Sequence, residues 1–284
     1  MLVFETVPAL KAQISSWRQA GRSIALVPTM GFFHQGHATL MRKAAGLADK
    51  VVVSIFVNPT QFGPQEDLGA YPRDPERDRA IARANRVDAV FMPGAELMYP
   101  PGFDTWVESP SLSRRLCGLV RPAHFRGVCT VVLKLFNLVQ PDVAVFGEKD
   151  WQQLAVIRRM AGDLDVNVRI EGAPLVREAD GLALSSRNSY LTPEERAQAP
   201  ELYMGLKKAC RLYREGERET AALGKAVRDY WAVNFPLGKV DYLHILDGPS
   251  LEEVRIADSR SRAVTAVYLG KARLIDNVLL SEND

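Results

Sequence analysis

No apolar run in the sequence approaches the ~18–20 residues that a membrane helix needs, so no transmembrane anchor is expected. Cysteine is scarce, with only Cys117, Cys129 and Cys210. An odd number without C-x-x-C spacing argues against a disulfide framework and a thiolate zinc site. Each cysteine is expected to be a small buried apolar residue in a reducing cytoplasm. Net charge is nearly absent, since 36 Lys and Arg face 34 Asp and Glu. That excludes a whole-chain basic face for nucleic acid, while leaving room for a local cationic pocket. The opening Met1–Glu5 has no basic leader, apolar core or cleavage site, which reads as no secretory signal. Repeats and low-complexity tracts are missing as well. What remains is 284 residues, 47% hydrophobic, enough for one large domain or two ordinary ones.

The first half alternates short apolar runs with amphipathic segments. Strands are expected at Ser23–Pro28, Lys50–Val57, Val87–Met92, Val143–Phe146 and Asn167–Glu171. Helices are expected at Thr39–Asp49, Arg73–Asn85, Val128–Leu138 and Trp151–Gly162. The β-branched run after Lys50 is apolar on both faces, the pattern of a central parallel strand. Repeated βαβ units of this kind predict an α/β fold, a Rossmann-like parallel sheet with helices on both faces. Such sheets bind ligands beyond the carboxyl ends of their strands, at the topological switch point. The second half begins with helical, charged text from Thr192 to Trp231, opened by Thr192-Pro193-Glu194-Glu195. Short strands follow at Val240–Leu246, Ala263–Leu269 and Ala272–Ile275, the last two joined by a Gly270-Lys271 hairpin. The division expected is a domain over residues 1–175 and a smaller α+β domain over 176–284.

The segment richest in chemistry is Pro28-Thr29-Met30-Gly31-Phe32-Phe33-His34-Gln35-Gly36-His37, between the first clear strand and a helix. Residues three apart on a first helical turn share a face, which pairs His34 with His37. Gly36 removes a side chain between them, and the helix start offers unpaired amides and a positive dipole end suited to polyphosphate. Capping or core packing is the bland alternative for the histidines. Zinc is disfavoured because no acidic or thiol third ligand lies nearby.

His-x-Gly-His after a first strand resembles the nucleotidyl-transferring superfamily that includes class I aminoacyl-tRNA synthetases. Four further segments narrow the likeness: Ser54–Phe62, His124–Val128, Phe146–Leu154 and Arg177–Asn188. Together, from about Leu2 to Leu279, they resemble the pantothenate synthetase family. The resemblance implies an ATP-dependent ligase. Pantoate and ATP would give a pantoyl adenylate and pyrophosphate, and β-alanine would then release pantothenate and AMP. It also implies Mg²⁺, a homodimer and a cytoplasmic location, with no nucleic-acid or membrane partner. By the same resemblance, His34, His37, Lys149 and Arg187 are the catalytic candidates. The ATP set is Met30, Gly31, Phe32, Phe33, His34, Gln35, Gly36, His37, Gly147, Glu148, Lys149, Asp150, Val176, Leu184, Ser185, Ser186 and Arg187. Within it, Asp150 would meet ribose hydroxyls or help place the metal, and Val176 and Leu184 would flank the adenine. Gln61 and Gln153 are the implied pantoate anchors. Met30 and Phe62 form apolar wall, Asn58 holds a turn or touches substrate, and Arg121 and His124 rank second. Tyr71–Asp74 is expected in a loop covering the site.

The chain departs from the family's usual wording at Phe32-Phe33, Thr60 and Trp151, beside the polar positions rather than among them. Two rivals stand against the ligase: a tRNA-binding relative, disfavoured by the near-neutral charge, and a non-enzymatic nucleotide-binding regulator on the same scaffold. Retention of His34, His37, Lys149 and Arg187 together disfavours the second.

Overall fold

A computed structural model describes residues 1–64, 66 and 68–282. The chain divides into two compact units, Met1–Glu148 with Gln152–Pro174, and Lys149–Trp151 with Leu175–Asp284. The three-residue excursion at 149–151 has no signature in the sequence.

The first unit is built on six parallel strands: β1 (Leu2–Phe4), β2 (Ile24–Thr29), β3 (Lys50–Ile55), β4 (Ala89–Phe91), β5 (Val143–Gly147) and β6 (Arg169–Ala173). Their spatial order is β1-β4-β3-β2-β5-β6. The main helices between them are α1 (Val7–Gln19), α2 (Gln35–Ala45) and α3 (Pro75–Ala84). Three single-turn helices follow, α4 (Ala95–Met98), α5 (Pro110–Ser113) and α6 (Cys117–Val120), and then α7 (His124–Val139) and α8 (Trp151–Asp163). Ile24, Ala25, Leu26 and Val27 are all fully buried, as a strand covered on both faces must be. β2 pairs with β3 from Ile24↔Lys50 to Thr29↔Ile55, and with β5 at Ala25↔Val143 and Leu26↔Ala144.

Several differences from the sequence reading have physical causes. β1 is only three residues long, too short to carry a period. α1 lies outside the expected elements, although Val7, Leu10, Ile14 and Trp17 fall at helical spacing around Pro8. α2 begins at Gln35 rather than Thr39 because His34 and His37 build its capping box, a task usually given to Ser, Thr or Glu. Cys117 is half-buried rather than buried, whereas Cys129 and Cys210 are core residues.

The second unit carries α9 (Pro193–Gln198), α10 (Glu201–Arg214) and α11 (Thr220–Asn234) with an antiparallel sheet of β7 (Lys239–Asp247), β8 (Ser261–Leu269) and β9 (Ala272–Leu279). Its core joins Leu202, Leu206, Val227, Trp231 and Phe235 to Val267, Leu274 and Val278. Gly205 makes this packing possible: a Cβ there would lie 2.1 Å from Trp231 Nε1. That nitrogen donates to Glu201 O at 3.0 Å.

Candidate functional site

From β2 the chain runs outward through β3 and β4, then returns to place β5 on the other flank of β2. β2 and β5 therefore border the switch point, and the segments leaving their carboxyl ends are the expected ligand platform. Those segments are Met30–His37 after β2 and Glu148 after β5, with Phe56–Phe62 after β3.

The first turns sharply. Gly31 and Phe32 both have positive φ, +85° and +52°. Thr29 Oγ donates to Ser54 O at 2.6 Å and accepts from Gly31 N at 3.3 Å. The amides of Phe32 and Phe33 donate to opposite oxygens of Asp78, at 2.8 and 2.6 Å. Gly36 N then donates to His34 Nδ1 at 3.1 Å, and His34 N donates to His37 Nδ1 at 3.2 Å. A Cβ at Gly36 would sit 2.8 Å from His34 Cε1, so the glycine is required by the cap itself. The imidazole centroids are 4.1 Å apart, and the fully buried Phe33 ring backs His37 at 5.2 Å.

This corrects one expectation. The amides of Phe32 and Phe33 are committed to Asp78 of α3, and those of His34 and Gly36 to the two imidazoles, rather than offered to a phosphate. The network instead assigns acceptor roles to both Nδ1 atoms, which places the proton of each neutral imidazole on Nε2. Two oriented Nε2–H donors at a helix N-terminus are suited to an anionic group. Burial pushes the Asp78 carboxyl above the usual aspartate range, and the two loop amides only partly offset it.

After β3, the buried Asn58 caps a short 3₁₀ turn, Pro59–Gln61. Its Nδ2 donates to Gln61 Oε1 and to Gly127 O, both at 3.1 Å. Gln61 Nε2 donates to Met30 Sδ at 3.2 Å. Asn58 thus holds the turn and orients Gln61, and a thioether is a weak acceptor from which that amide is readily redirected. Tyr71 is buried edge-on against Phe62, with centroids 6.0 Å apart. Arg121 donates through Nε and Nη2 to the two oxygens of Glu66, and His124 Nδ1 meets Gln61 O at 2.8 Å. Burial works to raise the Glu66 carboxyl, but the Arg121 hydrogen bonds and charge outweigh it and hold it low. Arg121 and His124 thus support the Gln61 turn.

Gly127 lets α7 approach this turn, since a Cβ there would lie 2.5 Å from Thr60 O. Gly127→Ala is expected to destabilise the fold by about 1–3 kcal/mol through overpacking. Displacing Gln61 should also raise the KM for the substrate it is expected to anchor more than it lowers kcat. Urea unfolding and steady-state kinetics check both.

The glutamine pair after β5 splits in role. Gln152 is buried, donating through Nε2 to Leu112 O at 2.9 Å and Arg115 O at 2.7 Å, and accepting from Cys117 N at 3.1 Å. Gln153, the expected anchor, is half-buried beside it.

In the second unit, Lys149 and Asp150 form a loose pair at 3.7 Å, and Lys149 O accepts from Asn277 Nδ2 at 3.0 Å. The Trp151 indole donates to Gly248 O at 2.7 Å beneath the Arg262 guanidinium, 3.7 Å from its ring centre. That departure from the family wording has a partner for its N–H. Val176 and Leu184 face each other in a narrow loop, where Leu184 N donates to Val176 O at 3.0 Å. Arg177 fixes this loop to β9 through two bonds to Asp276, 2.7 and 2.9 Å, while lying 3.5 Å over the Tyr203 ring. Ser185 Oγ accepts from Arg187 N at 3.2 Å and so caps the turn that carries Ser186 and Arg187. Asp78, Glu66 and Asp276 are not singled out by sequence, and Arg177 enters only as the first residue of the Arg177–Asn188 segment. Each reads there as an ordinary surface charge, and only burial distinguishes it.

Among the described residues no group of three or more His, Cys, Asp or Glu side chains is arranged to hold a metal ion. No helix among them is long and apolar enough to cross a membrane.

Comparison with known proteins bears on this arrangement. The sequence profile of the family described as Pantoate-beta-alanine ligase matches residues 2–279. The chain is 55% identical over 282 residues to a pantothenate synthetase of Solidesulfovibrio magneticus, covering 99% of each. The crystal structure of a pantothenate synthetase from Thermus thermophilus superposes with a TM-score of 0.94 at 45% identity, covering 99% of this chain and 100% of that one. A Francisella tularensis pantoate-beta-alanine ligase, solved in complex with beta-gamma ATP and beta-alanine, aligns with a TM-score of 0.81 at 32% identity, covering 100% and 99%.

Proposed function

The chain belongs to the pantoate-beta-alanine ligase family and is an enzyme, and we propose that it joins pantoate to β-alanine in two steps driven by ATP. A pantoate carboxylate oxygen attacks the α-phosphorus and expels pyrophosphate, leaving pantoyl adenylate. The β-alanine amine then attacks the acyl carbon, expels AMP and loses a proton, giving pantothenate. A carboxylate is a poor electrophile, and adenylation supplies the leaving group.

The observation that carries this reading is the pair of imidazoles capping α2 at the carboxyl end of β2, beside β5. Negative charge grows on the phosphate oxygens in the first step, and donors already oriented there stabilise it without reorganising. His34 and His37 fill that role through Nε2–H. Lys149 and Arg187 add positive charge on the phosphates, with Ser185 and Ser186 beside Arg187. Gly147 and Asp150 serve the ribose, and Val176 and Leu184 the adenine. Gln61, oriented by Asn58, exchanges the Met30 sulfur for a pantoate oxygen. Gln153 is the second anchor, and Met30 and Phe62 line the apolar side. Mg²⁺ would be held chiefly by the polyphosphate oxygens and would supply neutralisation of their charge, with Lys149 and Arg187 of this chain adding to it. The enzyme works as a cytoplasmic homodimer, and sedimentation of the purified protein checks the oligomeric state.

Purified protein with ATP, Mg²⁺, pantoate and β-alanine is expected to form pantothenate and AMP in equal amounts. Pyrophosphate release should require pantoate but not β-alanine in a single turnover. Nucleotide binding without either product would favour the regulator. Tight tRNA binding that weakens steeply with salt would favour the synthetase relative.

A further inference from the structure

α3 carries none of the residues that the sequence points to, yet it holds Asp78, a carboxylate only 2% exposed. Both oxygens are used, one for the Phe32 amide and one for the Phe33 amide. The loop they hold runs through two successive positive φ values. Glycine takes that conformation freely at Gly31, but Phe32 does so against its Cβ. Gly31 also lies close against the clamp: a Cβ there would be 2.9 Å from Asp78 Oδ2 and 3.0 Å from Ile55 Cγ2. Successive amides converging on one anion form a nest, and here the anion belongs to the protein. Immediately beyond the nest, His34 becomes the N-cap of α2.

We propose that Asp78 is a positioning residue for the two imidazoles, holding Gly31–Phe33 in the backbone course that delivers His34 to the helix cap with both Nδ1 atoms on backbone amides. This rests on the ligase reading above for its kinetic consequence, but not for its structural one. Asp78→Asn keeps the volume and one acceptor and sets an NH₂ group against the other loop amide. Phe32→Gly removes the strain that the clamp opposes.

The experiment combines kinetics with nitrogen NMR of histidine-labelled protein, which is tractable because the chain has only four histidines. Wild type is expected to show His34 and His37 as Nε2–H tautomers. D78N is expected to shift both toward mixed tautomers and to lower kcat about 100-fold, the scale of a small misplacement of reacting groups. The KM for pantoate should stay within about threefold, because Gln61 lies on another segment. Adding F32G to D78N should recover at least about tenfold in kcat and restore the tautomers. Unchanged imidazole signals in D78N, at any level of activity, overturn the proposal, and so do altered signals with wild-type kcat. If D78N fails to fold, Gly31→Ala carries the same test, because it displaces the loop from Asp78 with the carboxylate intact. Should the wild type make no pantothenate, the ligase reading falls, while the tautomers still decide the role of Asp78.

Discussion

His37→Ala is expected to lower pantoate-dependent pyrophosphate release by about 10²–10³-fold, the effect of deleting one preorganised donor to a developing oxyanion. The substitution also removes the acceptor for His34 N, so part of the loss would come from a loosened helix start. His37→Gln separates the two contributions. Glutamine at this third helical position serves the capping box but carries no imidazole donor. H37A should therefore lose about 0.5–2 kcal/mol of stability, and H37Q considerably less. Both should remain slow in single-turnover assays. A glutamine variant that regains the wild-type rate would show that the imidazole acts only as a cap.

The second large effect concerns stability. Arg177→Met is expected to destabilise the second unit by about 3–5 kcal/mol at neutral pH, the range for removing one partner of a buried ion pair. Asp276 is 3% exposed, and its carboxyl would remain inside with only the Asn277 amide and the more distant Lys149 charge in its favour. Burial raises this carboxyl's pKa, and Arg177 works against that rise. Without Arg177 the native state binds its proton more tightly than the unfolded chain does. Stability then falls as pH climbs from the unfolded value, about 3.9, through the raised native one. The deficit of R177M should accordingly be smallest in acid and grow toward neutrality. Urea unfolding followed through Trp151 and Trp231, both in the second unit, checks the size and the sign.

The parallel sheet is legible because its strands are β-branched runs bounded by polar turns, and Lys50–Ile55 carries the signal plainly. The His-x-Gly-His segment stands out as a candidate site because two rare residues share one turn after a strand. Its hydrogen bonds are not, since nothing in a linear text shows that the imidazoles face their own backbone. Asp78 illustrates the wider limit. Its helix has charged neighbours on every side in sequence, and only the approach of a loop 45 residues earlier makes it a core residue. Arg177 and Asp276 are 99 residues apart, and no local pattern could join them. Gln152 and Gln153 are indistinguishable as letters, but the helix turns one toward Leu112 and Arg115 and leaves the other half-buried.

The short stretch Lys149–Trp151 packs with the second unit although the residues on both sides of it belong to the first. The polypeptide therefore passes from one unit to the other at three places, after Glu148, after Trp151 and after Pro174. A single cleavage after Pro174 keeps every residue of the first unit on one fragment, but no single cleavage yields the second unit with all of its residues, since Lys149–Trp151 stays on the other piece. On the ribosome, Lys149 emerges 128 residues before the Asn277 amide that binds its carbonyl, and Trp151 waits 97 residues for Gly248. The first unit can thus complete its sheet early, while this loop between β5 and α8 is finished only when β9 has been made.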